Sequence, residues 1–171
     1  MDKWVLITGG TKGIGRAVAN CLAKAGYQLI LTYASDTKAA EATCTTLRQA
    51  HGVRVELLRA DITDPRAVDE INAFLRGAER RLDALVLNAG ITCRDPFEQI
   101  QPADWLRVFQ ANVHFPVFLL QRIVDLLNEK GSVVFTGSLM GIEPHSVSLA
   151  YGVTKSAVHA LVKNLVKFMA P

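Results

Sequence analysis

The residues best suited to chemistry lie near the end of the 171-residue chain, in Tyr151-Gly152-Val153-Thr154-Lys155. A tyrosine and a lysine four residues apart share one face of a helix. An ammonium about 4 Å from a phenol stabilises the phenolate by roughly 4 kcal/mol at an effective dielectric near 20. Such a pair is a proton donor of the kind that reduction of a carbonyl requires. Ser138 lies earlier, just past an apolar run that reads as a strand. Its hydroxyl is placed to hold a substrate oxygen beside Tyr151, because sites in open α/β sheets form at the carboxyl edge of the strands.

A second constellation opens the chain. Val5-Leu6-Ile7 runs into Thr8-Gly9-Gly10-Thr11-Lys12-Gly13-Ile14-Gly15, and helical periodicity starts at once. Glycines here permit a tight turn, close approach of backbone to a pyrophosphate, and close packing of helix on strand. The free N–H groups and the positive end of the helix dipole then face an anion. No Gly-Lys-Ser/Thr follows, so the loop is not a mononucleotide P-loop. The expected ligand is a dinucleotide. NAD sites place an acid at the end of the second strand, on the ribose hydroxyls. Here that strand ends Leu31-Thr32-Tyr33-Ala34-Ser35. Ser35 can donate to a 2′-phosphate and Lys12 can pair with it, which favours NADP. Asp36 keeps NAD open, since a shift of a few residues makes it the ribose acid.

The elements that must position these groups alternate along the chain. Short apolar runs predict strands at Val5–Ile7, Leu29–Leu31, Val53–Leu58, Ala84–Leu87 and Ser132–Thr136. Between them, helical spacing marks Ile14, Val18, Cys21, Leu22 and Ala25, with Gly26 as the stop, then Ala40, Cys44 and Leu47, then Val68, Ile71 and Leu75. Asp64 is the expected N-cap of that third helix, with Pro65 at its first position. A long helix is expected from about 103 to 128, burying Trp105, Val108, Phe109, Val113, Val117, Leu120 and Val124. A last helix carries Val158, Leu161, Leu165 and Met169. Near-continuous apolar strands are the mark of a parallel sheet covered on both faces. The expected fold class is therefore α/β, a doubly wound parallel sheet of the three-layer Rossmann type with five strands, in one domain over residues 1–171.

Composition narrows the function. Half the residues are hydrophobic, which excludes a disordered chain, and the net charge of +3 with no basic run argues against a nucleic-acid partner. No apolar stretch approaches a membrane span, and the first residues do not read as a signal peptide. Cys21, Cys44 and Cys93 have no metal-ligand spacing, so no metal is expected. These features lead to the expectation of a reducing, cytoplasmic setting.

The spacing TGxxxGxG resembles the short-chain dehydrogenase/reductase family, and the remaining stations follow in order. They are Asp61 after the third strand, Asn88-Ala89-Gly90 after the fourth, Asn112 in the long helix, Ser138 after the fifth strand, and the YxxxK of Tyr151 and Lys155. The resemblance covers essentially the whole chain. It implies an NAD(P)-dependent oxidoreductase in which Ser138, Tyr151, Lys155 and Asn112 are catalytic. Thr8, Gly9, Thr11, Lys12, Gly13, Ile14, Gly15, Ser35, Asp61, Ile62, Asn88, Ala89, Gly90, Tyr151 and Lys155 are then expected to hold the cofactor. Asp61 either contacts the adenine or caps the next helix. Pro116 lacks the N–H that would bond the Asn112 carbonyl, so the helix should bend there. The freed carbonyl is expected to hold a water leading to Lys155; the alternative is a plain proline kink with Asn112 capping its own backbone. His145, between Ser138 and Tyr151, is a candidate substrate contact.

Asn88-Ala89-Gly90-Ile91-Thr92 and the loop through Arg16 look like the 3-oxoacyl-acyl-carrier-protein reductase branch, which reduces a 3-oxoacyl thioester with NADPH. The expected substrate is a small molecule or an acyl group on its carrier. The family resemblance also implies a homodimer or homotetramer joined through the fourth and fifth long helices. It implies a sixth and seventh strand, with a substrate segment between them, and the sequence through Ala170-Pro171 contains neither. Two alternatives follow: a dinucleotide-binding fragment without turnover, and an NAD-dependent alcohol dehydrogenase.

Overall fold

The structure, a computed structural model, describes residues 2–169. The expectation drawn at Ala170-Pro171 lies outside them. Five strands, β1 (Trp4–Ile7), β2 (Gln28–Tyr33), β3 (Val55–Arg59), β4 (Leu82–Leu87) and β5 (Leu127–Phe135), form one sheet in the order β3-β2-β1-β4-β5. All four pairings are parallel. The helices are α1 (Gly13–Lys24), α2 (Thr37–His51), α3 (Ala67–Gly77), α4 (Pro102–Phe109), α5 (Phe115–Ile123) and α6 (Leu149–Met169).

Strand alternation splits the core in two. Val5 and Ile7 of β1 join Leu29, Leu31 and Val86 in a cluster with Ala19 and Ala23 of α1 and Cys44 and Leu47 of α2. Trp4 and Leu6 face the other way, with Ile30, Leu82, Leu85 and Leu87, against Ile71 and Leu75 of α3 and Phe115, Leu119 and Ile123 of α5. Both faces are thus covered, and the expected three-layer doubly wound fold is the one observed. The strand order reverses between β1 and β4, so their carboxyl ends diverge and leave a crevice.

Four local expectations need correction. Helix α1 does not bury Ile14 or Cys21, which are exposed; Gly15, Ala19 and Ala23 face the sheet instead. Small residues let this helix sit close to β1, and a Cβ at Gly15 would run into the Gly9 carbonyl. Strand β3 starts at Val55 rather than Val53. Helix α3 starts at Ala67, and Asp64 and Pro65 belong to the turn before it. The Asp64 carboxylate there accepts from the Arg66 N–H at 2.9 Å, and its carbonyl accepts from Ala67 at 3.1 Å.

The long helix is the fourth. It is broken by a π turn at Gln110–His114, in which the Phe115 N–H donates to the carbonyl of Gln110, five residues back. Pro116 has no N–H to continue α winding, and the wider turn absorbs the lost bond. The buried side runs through Val108, Ala111, Asn112, Phe115, Leu119 and Ile123, leaving Val113 and Val117 half-buried and Val124 exposed. Helical structure ends by Leu126, and β5 begins at Leu127. Its pairing with β4 is irregular until Ala84 meets Ser132, the residue from which the strand was expected to begin.

Candidate active site

The glycine loop leaves β1 and is tied down from three sides. Thr8, buried, accepts through its hydroxyl from the Asn88 and Ala89 N–H groups, each at 3.0 Å. The Asn88 side-chain amide donates back to the Thr8 carbonyl at 3.1 Å. Thr32 of β2 takes the Gly9 N–H on its hydroxyl and the Gly10 N–H on its carbonyl, both at 3.2 Å. Thr43 of α2 donates to the Thr11 carbonyl at 2.9 Å. Gly9 and Gly13 hold φ of +63° and +50°, where a side chain would be strained. The loop is therefore fixed, with α1 opening at Gly13.

A groove of about 370 Å³ runs from this loop across the ends of β2, β3 and β4. Of the expected cofactor residues, Gly9, Ile14, Asp61, Ile62, Asn88, Ala89 and Gly90 line it. Ile14, which also keeps the helical spacing of α1, is exposed and forms a wall of this groove. Asp61 accepts from the Thr63 N–H at 2.9 Å and hydroxyl at 2.8 Å, so it shapes the turn before α3 and also borders the groove. Ser35 is exposed and is not among the groove-lining residues; Tyr33 and Ala34 are.

Lys12 forms an ion pair with Asp36. Asp36 also accepts from the Ala39 N–H at 3.0 Å and so caps α2. The Lys12 hydrogen bond, then the Ala39 bond, hold the Asp36 carboxyl below the usual range. Asp36 is thus engaged at the mouth of α2, and Lys12 reaches a phosphate only by leaving it.

At the expected catalytic end, α6 presents Tyr151 and Lys155 on one face, and the Lys155 ammonium lies 5.6 Å from the Tyr151 ring centroid. Lys155 is buried, and its Nζ donates to the Thr136 carbonyl at 2.7 Å, just past β5. Burial lowers its pKa below 10.5. The Ser138 hydroxyl accepts from the Met140 N–H at 3.2 Å. Among the described residues, the Tyr151 hydroxyl makes no hydrogen bond. Lys155 is thus tied to the end of β5 with the Tyr151 ring beside it, and Ser138 follows two residues after Thr136; among the described residues the three side chains make no hydrogen bond to one another.

Asn112 does not cap its own backbone. Its Oδ1 accepts from the Ile91 N–H, and its Nδ2 donates to the Ile91 carbonyl, both at 2.9 Å. Nδ2 also donates to the Thr154 hydroxyl at 3.0 Å. The residue pins the loop after β4 to α6 and, among the described residues, makes no hydrogen bond to Lys155. Thr32, Thr136 and Thr154 are the residues that sequence reasoning passed over. Threonines placed on strands or helices give little signal; only the position of Thr154 inside YxxxK offered one.

The lowered Lys155 pKa has a consequence for stability. The folded state holds this proton less tightly than the unfolded chain, so the group's contribution to stability rises as pH climbs through the lowered value, and levels off above 10.5. Lys155→Met is expected to lose that alkaline rise. Urea unfolding of both proteins from about pH 8 to 11 checks it; parallel curves would contradict it.

The fold and the site meet in one family. The sequence profile of the short chain dehydrogenases matches residues 3–171. Sulfoacetaldehyde reductase 2 of Chromohalobacter salexigens is 36% identical over 169 residues, covering 96% of this chain and 66% of the relative. A 3-oxoacyl-acyl-carrier-protein reductase of Staphylococcus aureus is 29% identical over 175 residues, covering 99% of this chain and 70% of the relative. A short chain dehydrogenase from Burkholderia cenocepacia, solved in complex with NADP, superposes with a TM-score of 0.92 at 30% identity, covering 99% of this chain and 69% of that one. The chain belongs to the short-chain dehydrogenase family, a class of oxidoreductases. It spans about two thirds of the length of these relatives. Among the described residues, no helix is long and apolar enough to cross a membrane.

Proposed function

We propose that this chain belongs to an NADPH-dependent carbonyl reductase acting on a 3-oxoacyl thioester. The observation that carries the reading is buried Lys155, bonded to the Thr136 carbonyl at the end of β5 with the Tyr151 ring beside it and Ser138 two residues further along, on a chain whose phosphate loop is fixed. The residues fit a dinucleotide. Gly9 and Gly13 provide a cradle that side chains would strain, and Thr8, Asn88 and Thr32 keep it rigid. The pyrophosphate would lie on this loop, the adenosine among Asp61, Ile62 and Ala34, and the nicotinamide ribose by Tyr151 and Lys155. NADP is favoured over NAD because no carboxylate ends β2 in the groove, and Asp36 is committed to α2 and Lys12. The NADP carried by the Burkholderia relative supports the same choice.

Bound NADPH supplies the hydride. Ser138 holds the substrate carbonyl oxygen, and Tyr151 gives that oxygen its proton. Lys155 eases loss of the proton from the phenol. Asn112 steadies this end by locking Ile91 to Thr154. The thioester assignment draws on the likeness of Asn88–Thr92 and the glycine loop to the acyl-carrier-protein reductases. It also draws on the exposed apolar residues Leu139 and Ile142, just past Ser138 in the chain, and Leu149 at the start of α6, which suit an acyl chain better than a polyol. Leu106 and Phe118, exposed on α4 and α5, leave apolar surface for the expected self-association.

The test is a titration of the chain with NADPH and NADH followed by nicotinamide fluorescence, then NADPH consumption with an acetoacetyl thioester and with a ketose. Tighter NADPH binding and consumption with the thioester are expected. Tighter NADH binding would refute the cofactor choice, and consumption with the ketose alone would refute the substrate class.

A further inference from the structure

We propose that Arg59 is the residue that selects the 2′-phosphorylated adenosine ribose, an inference that rests on the cofactor reading above. Arg59 is the last residue of β3 and pairs in register with Tyr33, the last residue of β2. Its Nε donates to the Ala34 carbonyl at 3.0 Å, so the guanidinium is anchored at the carboxyl end of β2. That is where dinucleotide folds place the adenosine ribose, and where a nearby arginine accommodates a 2′-phosphate. Tyr33 at the end of β2, Ala34 after it, and Ala60 and Asp61 just past β3 line the groove; Arg59, at its rim and not among the lining residues, is bonded to Ala34 and adjoins Ala60.

The bond to Ala34 uses Nε alone. The two terminal nitrogens of the fork remain, and a planar fork of this kind binds two oxygens of one phosphate. Arg59 is exposed and, among the described residues, forms no ion pair. The other cations at this edge are differently placed. Lys12 is paired with Asp36, and Lys38 lies in the field of the same carboxylate. Asp36 would itself repel a phosphate, and a fixed guanidinium offsets that repulsion. Arg59 therefore supplies charge that is already in position, whereas Lys12 has to exchange partners first.

The experiment is calorimetric titration of the 171-residue chain, wild type and Arg59→Gln, with adenosine 2′,5′-bisphosphate and with 5′-AMP. These ligands probe the adenosine end alone. Wild type is expected to prefer the bisphosphate. Arg59→Gln should bind it about tenfold or more weakly, the range of a charge-assisted hydrogen bond, with 5′-AMP affinity unchanged. Arg59→Lys should fall between, keeping the charge and losing the fork. Unchanged 5′-AMP binding doubles as the check on folding. If wild type prefers the bisphosphate and Arg59→Gln keeps the same ratio, the inference is overturned and the cofactor reading stands. If Arg59→Gln loses both ligands equally, selection by Arg59 is likewise overturned. Absence of any preference in wild type, or of binding to either ligand, overturns the inference and the cofactor reading together.

Discussion

Tyr151→Phe is expected to bind NADPH as wild type does and to reduce an acetoacetyl thioester about a hundredfold to ten-thousandfold more slowly, the range of a lost general acid. The substitution removes one oxygen from a half-buried side chain whose hydroxyl has no protein partner among the described residues, so little stability should change with it. The backbone bonds of Tyr151 persist: its N–H donates to the Ser148 hydroxyl just before α6, and its carbonyl accepts from the Thr154 hydroxyl. The split between binding and rate is the diagnostic. Single-turnover reduction with excess NADPH measures it, and near-normal turnover would remove Tyr151 from the proton path.

Asn112→Ala acts on the frame instead. Asn112 is buried and gives both polar groups of Ile91 their side-chain partners, while also reaching Thr154. Truncation leaves the Ile91 N–H and carbonyl without these bonds, at a cost of about 2–4 kcal/mol. The urea midpoint should fall by the corresponding amount with an unchanged slope. Ile91 follows directly on Asn88-Ala89-Gly90, so NADPH binding should weaken as well. A loss of less than about 1 kcal/mol would mean that the loop after β4 holds itself without Asn112.

Much of this molecule was legible in the order of its residues. Strands buried on both faces must be apolar throughout, so Val5–Ile7 and Leu29–Leu31 stood out, and with them the parallel sheet. The glycine loop was legible because few residues can adopt its backbone. Apolarity misled where it served a purpose other than the core. Ile14 shares the helical spacing of α1 yet borders the groove, as its place in the glycine loop implied, while Gly15, Ala19 and Ala23, whose merit is their small size, carry the contact with the sheet. The ion pair of Lys12 was not legible, because its partner Asp36 lies 24 residues away and only the fold brings them together. The role of Asn112 was half legible. Pro116 announced a disturbed helix, but a lost N–H says nothing of which loop the asparagine side chain will hold. Arg59 gave no signal at all, since a single arginine at a strand end is ordinary until the neighbouring strand is known.

The π turn at Gln110–His114 also governs how this stretch tolerates a change of length. Each helical residue advances the chain by about 100° around the axis. A descendant sequence that lost one residue ahead of Asn112 would wind as ordinary helix, yet would swing the asparagine through that angle, away from Ile91 and Thr154. One that lost a residue after it would turn Phe115 and Leu119 out of the core instead. Substitutions can accumulate along α4 and α5, but insertions and deletions there should be rare, because a single extra residue of winding keeps two separately phased surfaces in step.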